Sequence, residues 1–411
     1  MFRRRAPQKG FPARRTREVG WSVFDADVLM PTAVLLGSAI RNNSESFADY
    51  CSRHNVSFSP HGKTTMSPQL FRKQLDDGAW AITAANTFQA RTMVEHGVPR
   101  VFIANEVTAP GDIAWLAGAT RRGHEVYCCV DSMDAVSLLD AGLAQLPSDS
   151  RVPVLVELGV PHGRTGCRSA TEALNVARHV RDSARLRLVG VSGFEGIISA
   201  NESQTAEERV DGFLSELRRV ADEIIAQRLV DVTGELVISA GGSVFFERVV
   251  AQLYRANPAM KERVVIRSGC YISHDDGVIH EMSPLGAAPR DRGEVFKPAL
   301  EVWGAVLSRP EPTRVIVGVG KRDVSTDGLL PVAKKRRRRS DGRVESWTSL
   351  GRAVRVDDQH TYLDVVASDD TAVGDLVGLG ISHPCTTFDK WRAISIVDDD
   401  YRVIEVARTY F

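Results

Sequence analysis

The stretch SFSPHGKT, residues 57–64, starts like a β-strand, meets Pro60, turns, and leaves His61 and Lys63 at its mouth. A lysine at the end of a strand that ought to be buried needs a reason. The run is the first of eight short β-rich segments. The others are AWAITAA (79–85), RVFIAN (100–105), EVYCCVD (125–131), VPVLVEL (152–158), LRLVGVSGFEG (186–196), ELVISAGG (235–242) and RVVIRSG (263–269). Between them lie segments with apolar residues at helical spacing, as in RVDGFLSELRRVADEIIAQR, which places Val210, Phe213, Leu214, Leu217, Val220, Ala221, Ile224 and Ile225 on one stripe.

Continuous apolar strands alternating with amphipathic helices indicate a parallel sheet covered by helices, and eight such units closing on themselves make a TIM barrel. An open doubly wound sheet is the alternative. The ends of the strands favour the barrel. His61 and Lys63 follow the first, Glu157, His162 and Arg164 the fifth, Phe194 and Glu195 the sixth, Gly241, Gly242 and Ser243 the seventh, and Gly269 and Tyr271 the eighth. In a barrel these converge on the face that carries active sites.

After about residue 285 the pattern changes, and ALEVWGAVLSR, TRVIVGVG, YLDVVA, DLVGLGIS and RVIEVART predict a second, β-rich domain. The Pro- and Gly-rich PLGAAPRDRGEVFKP marks the boundary. The expected division is an Arg-rich N-terminal extension (1–30), a barrel (31–285) and a β-rich, metal-binding domain (286–411). The run KKRRRR (334–339) is expected to be a solvated, mobile loop, with a polyanion-binding or nuclear-import patch as the alternative.

The 411 residues are too many for one compact core, so two domains are expected. Lys plus Arg and Asp plus Glu number 52 each, which leaves no net field favouring nucleic acid or a membrane and points to a small partner. No apolar run approaches the roughly 20 residues that span a bilayer, and the N-terminus lacks the apolar stretch of a secretory signal. A soluble, cytoplasmic protein is expected, with an organelle transit peptide as the alternative. Six cysteines without a regular framework read as reduced residues, most of them in the core.

Two further stretches bear on chemistry. SAGGSVFF exposes backbone N–H groups after the seventh strand, where barrels commonly hold a phosphate, although tight turns use paired glycines just as often. In GISHPCTTFDKW (380–391), His383 and Cys385 flank a proline and bring two metal-competent side chains together. Two ligands leave room for water or substrate, which suits a catalytic metal, with Thr386 or Asp389 behind them.

PHGKT, VELGVPHGRTG, SAGG, IRSGCY and SHPCTTFDKW together resemble the D-threonine aldolase and D-serine dehydratase group of the alanine-racemase-like, fold-type III pyridoxal phosphate enzymes. The likeness runs over nearly the whole chain from about residue 30. It implies that Lys63 forms the Schiff base with pyridoxal phosphate, beside His61. It also implies that Gly241, Gly242 and Ser243, with the backbone of Gly269 and Cys270, cradle the phosphate. Arg164 matches the arginine near the cofactor ring and Tyr271 the aromatic near the phosphate. Two departures weaken side-chain contacts to the phosphate: Ser243-Val244-Phe245 replaces Thr-Pro-Thr, and Arg267-Ser268-Gly269 replaces Arg-Pro-Gly. Glu195 is expected either to face the pyridine nitrogen or to be a rim carboxylate paired with an arginine.

In the resemblance, aldolases carry His-x-Asp with a hard divalent ion and dehydratases His-x-Cys with zinc. His383 and Cys385 therefore point to zinc and to β-elimination of water from a D-3-hydroxy amino acid such as D-serine, D-threonine or D-3-hydroxyaspartate, giving a 2-oxo acid and ammonia. Retro-aldol cleavage is the second reading and racemisation the third. A non-catalytic cofactor carrier and a polyanion-binding protein are readings of other classes. The resemblance also implies a homodimer.

Overall fold

The structure, a computed structural model, describes residues 8–12, 18–144, 150–230, 235–255, 260–348 and 351–411. The chain forms two compact units. One comprises Ala48–Lys63 and Phe71–Gly269, the other Met1–Phe47, Thr64–Leu70 and Cys270–Phe411. Division therefore falls at residue 270 and not at the Pro/Gly-rich stretch near 286, and strand β1 (Thr32–Leu36) sits in the second unit.

The first unit holds β2 (Ser57–Phe58), β3 (Ile82–Ala84), β4 (Arg100–Glu106), β5 (Glu125–Val130), β6 (Val152–Leu158), β7 (Leu186–Gly193), β8 (Glu235–Ala240) and β9 (Lys261–Ile266). All eight expected strands are present. They pair in parallel in the order β2-β9-β8-β7-β6-β5-β4-β3. The ring closes where Trp80 N–H donates to Phe58 O and Thr83 N–H to Pro60 O, both at 2.8 Å, beside a parallel bridge between His61 and Thr83. A doubly wound sheet would reverse its strand order at a switch point and stay open, so that alternative is excluded. β2 is short because Pro60 has no N–H to continue the ladder.

Phe102, Tyr127, Cys129, Leu155, Val189, Val237 and Val265 fill the interior as one buried cluster. Outside, the helix Ala206–Ala226 starts at a reciprocal cap between Thr205 and Glu208 and buries the expected stripe, except Ile225, which is half-buried.

In the second unit, β10 (Leu300–Glu311), β11 (Arg314–Val317), β12 (Val332–Arg337), β13 (Val344–Ser346), β14 (Gly351–Val356), β15 (Thr361–Val365), β16 (Leu376–Gly380), β17 (Ala393–Val397) and β18 (Val403–Arg408) join β1 in one mixed sheet. β1 lies antiparallel to β10 and parallel to β17. The expected N-terminal extension lies partly outside the described residues. Of its described part, Phe11, Trp21, Val23 and Val28 pack with Val34, Trp303 and Tyr401 in the core of this unit.

KKRRRR is not a solvated loop. Its first four residues end β12, between β16 and β13. Lys334 pairs with Asp276 at 2.7 Å, Lys335 with Glu301 at 2.8 Å, Arg336 with Asp370 at 2.8 Å, and Arg338 with Glu345 at 2.9 Å. Charge alone hid a strand whose cations are matched by carboxylates from distant parts of the chain.

Candidate active site

In the barrel unit the exits of β2, β6, β7, β8 and β9 surround a cavity of about 140 Å³, lined by His61, Lys63, Arg164, Phe194, Gly241 and Arg267 among others. Gly62 lets the chain turn between the first two of these. A Cβ there would stand 2.6 Å from Met93 Cε and 2.8 Å from Ile82 Cγ2. The tight turn Gly62–Thr64 then presents Lys63, half-buried, and its amine has no hydrogen bond or ion pair among the described residues. His61 Nδ1 is buried without a hydrogen-bond partner among the described residues. Burial and then the charges of Lys63 and Arg267 push His61 well below the ordinary imidazole range, so it stays neutral.

Arg164 is exposed at the rim, its guanidinium 5.1 Å from the centre of the Phe194 ring. Arg267 is buried and donates to Ser192 Oγ at 3.0 Å, Ser239 Oγ at 2.7 Å and Gly193 O at 2.6 Å. These partners are neutral, so its charge is offset only at longer range, by Glu157 and Glu195 among others. Three cations at one mouth suit an anionic ligand. Beside them, Glu157 accepts from Thr165 Oγ1 at 2.7 Å, and burial followed by repulsion from Glu157 pushes Glu106 up to about 8.

Glu195 departs from both expectations. It is completely buried, and its carboxylate accepts the N–H of Gly241 at 2.9 Å and of Gly242 at 2.6 Å. It therefore neither faces a ring nitrogen nor pairs with a rim arginine. The same contacts correct the phosphate cradle expected at Gly241 and Gly242, because both amides already carry a carboxylate. Ser243 and Gly269 follow the two turns, and their N–H groups have no acceptor among the described residues. The free lysine and the cation-lined cavity fit pyridoxal phosphate at its aldehyde end and in its charge, while the paired glycines do not fit as its phosphate donors.

The other expected residues gather in the second unit. Cys385 Sγ lies 3.6 Å from Cys270 Sγ and 3.3 Å from Thr64 Oγ1. Hydrogen bonds from Cys270, and after it His383 and Thr64, hold the Cys385 thiol down at about 4, while Cys270 is pushed well up. His383 is pushed up to about 9, first by Cys385 and then with help from Asp327, whose carboxylate lies 2.8 Å from Nδ1. Thr386 donates to the same Asp327 at 2.9 Å, whereas Asp389 turns to Lys390. Tyr271 is buried and stacks on Phe47 at 4.3 Å.

Among the described residues no three His, Cys, Asp or Glu side chains form a metal cluster. The donor chemistry nevertheless suits zinc: a thiol held towards the thiolate at Cys385, and beside it the His383 ring, whose Nδ1 faces a carboxylate. Sequence reasoning missed Asp327, which sits in an ordinary-looking Asp-Gly turn, and the Cys270 thiol, for which only the backbone was considered.

Residues 299–397 match the family described as the putative serine dehydratase domain. A D-threonine aldolase of Arthrobacter sp. is 26% identical over 303 residues, 74% of either chain. The solved D-threonine aldolase of Filomicrobium marinum superposes with a TM-score of 0.76 at 21% identity, covering 96% of this chain and 98% of its own. D-threo-3-hydroxyaspartate dehydratase of Delftia sp. HT23 superposes with a TM-score of 0.70 at 19% identity, covering 93% and 97%. The class is thus the alanine-racemase-like fold, a TIM barrel with a β-rich second unit. Within it, the likeness to the D-threonine aldolase and D-serine dehydratase group read from the motifs is borne out.

Proposed function

We propose that this chain is a pyridoxal phosphate- and zinc-dependent lyase that removes water from a D-3-hydroxy amino acid, releasing a 2-oxo acid and ammonia. The observation that carries the reading is Cys385, a thiolate beside His383, whose ring Asp327 orients. A thiolate with an imidazole selects a soft ion such as zinc over magnesium or manganese.

When bound, pyridoxal phosphate supplies an electron sink for charge developing at the α-carbon, and zinc supplies a Lewis acid for the β-hydroxyl. Lys63, with no competing partner among the described residues, is the group that attaches the cofactor and takes the α-proton. Arg164 and Arg267 give the cavity its attraction for carboxylate and phosphate. Neutral His61 adds no further charge beside the lysine. Asp327 keeps His383 in one orientation, in which it and Cys385 would hold the metal that polarises the substrate hydroxyl. The substrate class and a homodimer as the working form belong to the same proposal.

Retro-aldol cleavage to glycine and an aldehyde is the second reading, favoured by the aldolase activity of the 26% identical relative. Both are tested by incubating the protein with D- and L-3-hydroxy amino acids, with and without chelator, and assaying 2-oxo acid, ammonia and aldehyde separately. Chelator-sensitive 2-oxo acid and ammonia from D-isomers support the first reading. Aldehyde with glycine replaces it by the second.

A further inference from the structure

Glu195 stands where the chain leaves β7, directly after Phe194, whose ring lines the cavity. Its carboxylate crosses to the exit of β8 and takes two consecutive amides, Gly241 at 2.9 Å and Gly242 at 2.6 Å. Gly241 has φ +99°, and a Cβ there would press to 3.0 Å on Ile266 Cγ2, so this turn needs glycine and needs to be held. The hold extends to the exit of β9. Ser268 Oγ donates to Gly242 O at 2.6 Å, and Arg267 N–H donates to Gly241 O at 3.1 Å. One buried carboxylate and one hydroxyl thus tie three neighbouring strand exits together.

A phosphate aimed at the two glycine amides would have to expel a fully buried charge that has both oxygens bonded. The N–H groups next along the two tied turns, those of Ser243 and Gly269, carry no acceptor among the described residues.

We infer that Glu195 is a positioning residue: it locks the Gly241–Gly242 turn so that the amides of Ser243 and Gly269, and not those of the glycines, receive the phosphate of the cofactor. The inference rests on the pyridoxal phosphate binding proposed above and adds to it which amides hold the phosphate and what aims them.

The test is an absorbance titration of the cofactor-stripped protein, its Glu195→Gln variant and its Ser243→Pro variant with pyridoxal phosphate and with pyridoxal, thermal melting confirming that each is folded. Glutamine keeps the shape but cannot accept both amides as a charge, and proline deletes the Ser243 N–H together with its hydroxyl, whose loss a Ser243→Ala control separates. In both variants the affinity for pyridoxal phosphate is expected to fall about tenfold or more while that for pyridoxal stays within about twofold, so that the preference for the phosphorylated form shrinks. An unchanged or larger phosphate preference in Glu195→Gln overturns the inference and makes the carboxylate a bystander or a competitor. If wild type alters the absorbance of neither compound, the proposed function falls first and this inference with it.

Discussion

Cys270 places its sulfur 3.6 Å from that of Cys385, and the two thiols are driven in opposite directions, one well up and the other down to about 4. Cys270 acts as an S–H donor that stabilises its neighbour as a thiolate. Because the Cys385 value is depressed, the thiolate exists above that pH and is lost as pH falls through it. In metal-free protein, thiolate ultraviolet absorbance should persist into acid and disappear only near pH 4. Cys385→Ser should remove it at neutral pH, and Cys270→Ala, which deletes the S–H donor, should move its loss to higher pH. Unchanged titration in Cys270→Ala would assign the depression to other neighbours.

Asp327 should matter to the metal without touching it. Replacement by Asn keeps the shape but removes the charge facing His383 Nδ1. Carboxylates in that position typically contribute about 10–100-fold in metal affinity. Competition with a chelator should show zinc bound weaker by that order in Asp327→Asn, with thermal stability of the metal-free protein little changed.

Glu106 predicts the pH dependence of folding. Burial and Glu157 raise its carboxyl from 4.5 to about 8. A folded value above the unfolded one means that this contribution is fully present below pH 4.5 and fades as pH rises to about 8. Chemical denaturation between those limits should show the decline, and Glu106→Gln, which cannot ionise, should flatten it.

Arg336 is the buried member of the basic run, with 1% exposure, beside Glu345, Asp370 and the buried Asp369. Truncating it removes a buried cation and its packing, while Asp369 keeps Arg309, Glu345 keeps Arg338 and Asp370 is exposed. Arg336→Ala should lose about 1–3 kcal/mol in denaturant unfolding. A loss of nucleic-acid binding with stability intact would instead restore the polyanion reading.

The barrel was legible because each of its strands is a short apolar run set off by turn residues, and because helices such as Ala206–Ala226 keep a clean stripe. β1, β12, β13, β14 and β17 were not read: β1, β12 and β17 draw part of their meaning from partners far along the chain, while β13 and β14 are short or polar strands paired with near neighbours. β12 shows why: four consecutive cations look solvated until Asp276, Glu301, Glu345 and Asp370 are brought beside the run. At the site, PHGKT and SHPC were readable as residue types at tight spacing. Glu195 was not, because a carboxylate at a strand exit can face a ligand or a pair of backbone amides, and only the fold decides which.

The central claim is that Lys63 carries the cofactor. Borohydride reduction of protein loaded with pyridoxal phosphate, followed by peptide mass mapping, tests it directly. The account predicts a pyridoxyl group on the peptide containing Lys63, absent from Lys63→Ala. A label spread over surface lysines, or none in the wild type, would contradict it.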